Sequence, residues 1–171
     1  MAALVIFGIL HLVLAHGDTS TPRASARYSW HDSTCSTLGQ CTRTDFAEPH
    51  LLVISLDGFS HEYLSRRVVK TLEKMAECGA TAEKVFPVFP SKTFVNHYTM
   101  ITGMYPEFHG VVDNSIYDTT IADHLQSLKT TEDGRYFPGE PLWHAYKRLT
   151  RKRWATYNWV GSNYNAGKRG D

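Results

Sequence analysis

The sequence predicts an α/β protein, a parallel sheet with flanking helices, and three observations carry that expectation. The run Leu51 to Leu56 is almost continuously apolar, the pattern of a strand covered on both faces. The segment Arg67 to Gly79 places Val68, Leu72, Met75 and Ala76 at helical spacing and stops at a glycine. A second extended segment, Ala80 to Phe89, leads into a second helix, so strand, helix, strand and helix follow one another as in βα units. Sheets of that kind bind ligands outside the carboxyl ends of their strands.

The length of 171 residues and the apolar content of 42% leave room for one domain with a real core. A formal charge of +1 excludes bulk electrostatic attraction to nucleic acid, and no nucleic-acid-binding module is evident. The basic run Lys147 to Arg153 reads as a solvated helix face. Residues 1–17 form an apolar stretch too short for a confident membrane span and read as a signal peptide, with Ala15 and Gly17 as the small residues before the cut. An uncleaved membrane anchor is the alternative. Residues 18–48 are polar and aperiodic and read as a flexible leader, so the folded part is expected over 49–171. Secretion would place the three cysteines in an oxidising setting, where Cys35 and Cys41 are near enough in sequence to bridge, leaving Cys78 odd.

The stretch Val85 to Asn114 concentrates polar atoms beside apolar runs. Pro87 and Pro90 make its start extended and irregular. From Phe94 the spacing of Phe94, Tyr98 and Ile101 predicts a helix up to Gly103, with Ser91 or Thr93 as its N-cap. Thr93 thus falls at a helix N-terminus, where unpaired N–H groups and the dipole favour an anion. Such a hydroxyl either caps its helix or faces a ligand. Asp57 follows the apolar strand at its carboxyl end, where Asp-Gly makes either an ordinary turn or a presented carboxylate. Together a strand-end carboxylate and a helix-start hydroxyl are the parts that hold a divalent metal against a nucleophile. Asn114 is either a turn residue or an amide donor to developing negative charge. His97 and His109 are twelve residues apart, which fits no short metal motif; His97 reads as a packing or hydrogen-bonding residue. Beyond this stretch, Ile116 to Phe137 reads as surface loop, Gly139 to Arg153 as a helix, and Trp154 to Val160 as a third strand.

The segments LLVISLDGFSHEYL and FPSKTFVNHYTMITGMYPEFHGVVDN, with GEPLW at 139–143 and WVGS at 159–162, resemble the ectonucleotide pyrophosphatase/phosphodiesterase family of the alkaline phosphatase superfamily. The resemblance implies an alkaline-phosphatase-like sheet, two zinc ions and a threonine that takes the phosphoryl group covalently. By motif position Thr93 would be the nucleophile and a zinc ligand, and Asp57 a second zinc ligand. Asn114 would hold a non-bridging phosphate oxygen, and Phe94 with Trp159 would wall a nucleobase. Val95 and Val160 stand where the family usually has proline, and Asn163 where nucleotide-cleaving members often have an acid; these departures bear on substrate preference. The family's remaining zinc ligands lie downstream of residue 171. The chain is therefore expected to be an incomplete N-terminal part of the catalytic domain, inactive alone. The substrate would be a nucleotide or another small phosphodiester, a phospholipid head group included. The protein would be secreted or on the extracellular face of the plasma membrane, with a tether not excluded. The alternative is a secreted, non-catalytic binder of a nucleotide or a protein.

Overall fold

The computed structural model describes residues 4–8, 34–35 and 51–163. The expected leader, apart from 34–35, lies outside the described residues together with Cys41, as does all of the expected signal peptide except 4–8. The described residues fall into two compact units, divided between Val85 and Phe86.

In the first unit, β1 (Leu4–Gly8) pairs antiparallel with β2 (Leu52–Leu56), Leu4 opposite Leu56 and Gly8 opposite Leu52. The expected strand is present, but it is not covered on both faces: Leu52 and Ile54 are exposed while Val53 and Ser55 are half-buried. That alternation belongs to an antiparallel pair with one face toward water. Asp57 and Gly58 turn the chain after β2, Gly58 with φ +72°. A 3₁₀ turn, His61–Arg66, follows, its N-cap Ser60 accepting from the Glu62 N–H. Arg67 then takes the left-handed conformation, φ +50°, which delays the next helix. Helix α1 accordingly runs over Lys70–Cys78 rather than from Arg67.

The disulfide joins Cys35 to Cys78, with Cα atoms 5.0 Å apart, and not Cys35 to Cys41. Sequence proximity favoured the short loop; the fold brings the end of α1 to Cys35 instead. Because the bridge closes a span of 43 residues, Cys78→Ser is expected to lower the stability of this unit by about 4 kcal/mol through the freed unfolded chain. Urea denaturation checks this: a reductant should lower the stability of the wild-type protein by the same amount as Cys78→Ser and should not lower that of the variant further.

In the second unit, α2 (Thr93–Thr102) ends at Gly103 in the left-handed conformation, and the single turn α3 (Pro106–His109) ends the same way at Gly110. The two-residue strands β3 (Ser115–Ile116) and β4 (Gln126–Ser127) pair antiparallel. A 3₁₀ turn, Gly134–Tyr136, precedes α4 (Leu142–Thr150). Helix α4 is shorter than the span Gly139 to Arg153, since Pro141 is its N-cap and Arg151 closes it in the left-handed region. No parallel strand pair occurs among the described residues; both sheets are antiparallel. Ala80 to Phe89 forms no strand, and neither does Trp154 to Val160, where Asn158 takes the left-handed conformation. Ile116 to Phe137 is more than surface loop. It carries the β3–β4 hairpin and sends Leu128, Tyr136 and Phe137 into the core with Tyr98, Ile101, Val111 and Trp143.

Tyr98 ties α2 to two distant segments. Its hydroxyl donates to the carbonyls of Phe137 and Gly139, at 2.9 and 3.0 Å. Its ring lies so near Gly161 that a Cβ there would sit 3.2 Å from Tyr98 Cε2, at a φ of +81° that already favours glycine. Burial pushes the phenol pKa up, so the group remains a hydrogen-bond donor. The GEPLW and WVGS segments are thereby fixed against the helix that begins at Thr93.

Candidate functional site

The N-terminus of α2 is built by residues from three parts of its unit. Lys92 is the N-cap and Thr93 the first helical residue, so neither Ser91 nor Thr93 caps the helix, and no cap residue contributes a side-chain bond. The cap comes from twenty residues away: Asn114 Oδ1 accepts the Phe94 N–H at 3.0 Å, satisfying one of the first-turn donors. With its oxygen so engaged, the Asn114 carboxamide has its NH₂ group as its remaining hydrogen-bonding group. Asp113 Oδ1 accepts the backbone N–H groups of Asn114 and Ser115, and its other oxygen pairs with the Lys92 ammonium. That lysine contact is the main cause that holds the Asp113 carboxyl below its ordinary pKa.

Asn96 fixes the approach to the helix. Its Oδ1 accepts the Val88 N–H at 2.9 Å, and its Nδ2 donates to the carbonyls of Lys92, Pro90 and Val88 at 3.0, 3.3 and 3.5 Å. The irregular VFPS backbone, short of amide donors because of Pro90, has its polar groups answered by one side chain. Nothing in the local pattern singled Asn96 out, although an amide on the first turn after a proline-containing loop is a signal that could have.

His97 and Trp159 support the same turn. The Thr93 carbonyl can only accept, so His97 Nδ1 carries the proton and donates to it at 2.8 Å. Trp159 Nε1 donates to the His97 carbonyl at 3.2 Å, and the two rings meet edge on at 5.7 Å. Phe94 and Trp159 are half-buried, both packed against the core cluster. The second unit therefore places Thr93 and Phe94 on the first turn of α2, Asn114 on the Phe94 N–H, and Trp159 on the His97 carbonyl farther along the helix. Asp57 belongs to the first unit, where it is exposed at the carboxyl end of β2.

His109 is fully buried and structural. Its Nδ1 accepts the Val111 N–H at 3.1 Å, which leaves the proton on Nε2 for Thr99 Oγ1 at 2.8 Å. Burial pulls its pKa below the ordinary value, outweighing its own carbonyl and Glu107, which raise it. The unfolded chain therefore binds the proton more readily, and stability is full above a pH of about 6.5 and falls below it. Melting temperature followed from pH 8 to pH 5 is expected to drop in the acid half of that range, and His109→Gln to flatten the drop.

A catalytic zinc takes about three protein ligands. Among the described residues, the cluster that brings three candidate ligand atoms together is Cys35, Glu77 and Cys78, and its two sulfurs are bonded to each other. A disulfide offers no thiolate, so this is not a zinc site. Asp123 and His124 are exposed and meet only one another, at 3.4 Å. The described residues thus do not supply a complete metal centre.

The helix terminus thus carries a hydroxyl on its first residue and an asparagine side chain that caps the same turn. Residues 51–170 match the type I phosphodiesterase / nucleotide pyrophosphatase family. The chain belongs to that family. It is 45% identical over 165 residues to an ectonucleotide pyrophosphatase/phosphodiesterase of Caenorhabditis elegans, covering 96% of this chain and 22% of that relative. It is 39% identical over 139 residues to a venom phosphodiesterase of Macrovipera lebetinus, covering 78% and 16%. The figures are 37% over 141 residues, covering 79% and 16%, for ectonucleotide pyrophosphatase/phosphodiesterase family member 3 of Bos taurus. The chain spans about a fifth of the length of these relatives.

Proposed function

We propose that the whole protein containing this chain hydrolyses phosphodiester or pyrophosphate bonds of nucleotides or related substrates, with Thr93 as the nucleophile. The observation that carries this is the bond from the Phe94 N–H to Asn114 Oδ1, which holds the carboxamide against the helix turn that begins with Thr93. In the proposed reaction Thr93 Oγ1 bonds to phosphorus as the bond to the leaving oxygen breaks. The hydroxyl proton is released and the leaving oxygen recovers one. Water then cleaves the phospho-threonine, restoring the hydroxyl and freeing the phosphate monoester. Asn114 donates to a non-bridging oxygen as charge builds on it. Phe94 and Trp159 form the wall for the base, a role compatible with their half-buried rings.

The resemblance brings two zinc ions to this reading, with Asp57 and Thr93 as ligands. Those two residues fall short of a complete centre. The same reading places the chain in a larger α/β domain with a parallel, alkaline-phosphatase-like sheet. It also places the protein outside the cell or at its surface, delivered by residues 1–17, in keeping with the venom and ectoenzyme names of its relatives. No helix among the described residues is long and apolar enough to cross a membrane.

The test is hydrolysis of an aryl ester of thymidine monophosphate by the whole protein. Turnover that is lost on chelation and restored by zinc is expected. Turnover that survives exhaustive chelation would contradict the zinc part of the proposal, and its absence in the untreated protein would contradict the whole.

A further inference from the structure

We propose that Asp113 is a positioning residue for this reaction, acting through Asn114; the inference rests on the function proposed above. One carboxylate reaches both sides of the nucleophile. Asp113 Oδ2 pairs with the ammonium of Lys92, the N-cap of α2, while Oδ1 takes the N–H groups of Asn114 and Ser115. Asn114 then returns to the helix through its bond to the Phe94 N–H. The contacts close a ring, Lys92 to Asp113, Asn114 and Phe94, and Thr93 lies in the chain between the two helix residues of that ring.

The ring explains how a loop residue can aim an amide. The Phe94 bond alone fixes the Asn114 oxygen but leaves the plane of the carboxamide to turn about it. Holding the backbone at Asn114 and Ser115 removes that freedom, and the Lys92 pair holds Asp113 itself. An ion pair as exposed as Lys92 with Asp113 adds little to stability, so its effect belongs to geometry rather than to the fold. Small displacements near a reacting centre are costly in rate because orientation supplies much of the acceleration.

The experiment is a double-mutant cycle in the whole protein, with the aryl thymidine monophosphate ester as substrate. Asp113→Ala is expected to lower kcat roughly 10- to 100-fold, the cost of a misplaced group. KM should stay within about three-fold, the split expected of a contact used mainly in the transition state. Asp113→Asn keeps an acceptor for the two N–H groups but loses the ion pair, and should fall between wild type and Asp113→Ala. In an Asn114→Ala background, Asp113→Ala should cost less than about two-fold further, because its effect runs through the missing amide. An equal factor in both backgrounds, or a wild-type kcat in Asp113→Ala, overturns the proposal. Should Asp113→Ala fold poorly, the same cycle run with Asp113→Asn decides between these outcomes. Thr93→Ala in the same assay separates the positioning role from the proposed function. If it is inactive while Asp113→Ala is normal, only the positioning role fails; if it is fully active, both fail.

Discussion

Thr93→Ala in the whole protein is expected to lower turnover of an aryl thymidine monophosphate ester by roughly 10³-fold or more, the scale seen when a covalent nucleophile is removed. The structure gives a reason to read that loss as chemical. Two bonds of the first turn of α2 use backbone atoms at this residue and the next: His97 donates to the Thr93 carbonyl, and Asn114 accepts the Phe94 N–H. Alanine keeps both. The helix start should therefore persist while kcat collapses, and Thr93→Ser, which restores a hydroxyl, should recover part of the rate. A Thr93→Ala enzyme with normal turnover would rule Thr93 out as the nucleophile.

Asn114→Ala is expected to cost about 2–4 kcal/mol of transition-state stabilisation, the range for loss of one oxyanion donor. It also strips the helix of its distant cap, which should lower stability by about 1 kcal/mol. Asn114→Asp separates the two effects. A carboxylate still accepts the Phe94 N–H, so stability should be retained, but it offers no donor and brings a negative charge toward the phosphoryl group. Activity should then fall at least as far as in the alanine variant. If Asn114→Asp keeps both stability and rate, the amide is only a cap.

The helix from Thr93 was legible because its apolar positions repeat at 3.6 residues and Gly103 stops it in the left-handed region. Its cap was not, since the group that answers the Phe94 N–H lies at Asn114, and a local reading weighs only neighbours such as Ser91. The cystine was misplaced for the same reason: only five residues lie between Cys35 and Cys41, but the fold selects Cys78. Periodicity also failed where burial has none. Leu128 and Phe137 are fully buried on a segment without repeating pattern, held there by the Tyr98 hydroxyl and by tight turns. Conversely, Leu51 to Leu56 read as a strand covered on both faces, yet Leu52 and Ile54 are exposed in an antiparallel pair. The apolar run marked the strand but not its partners. Thr93 and Asn114 stood out from their residue types and positions, while Phe94 and Trp159 came from motif resemblance; the structure shows Asn114 on the Phe94 N–H and Trp159 on the His97 carbonyl. Asn96 and Asp113, which hold the start of α2 together, are visible only as hydrogen bonds.

The central claim is that Thr93 carries the phosphoryl group, and acid quenching of the whole protein during turnover, followed by peptide mapping, tests it most directly. A phosphate-monoester adduct on the peptide containing Thr93, absent without substrate and absent from Thr93→Ala, is the expected result. Steady turnover with that peptide unmodified, or with the adduct on another residue, would contradict it.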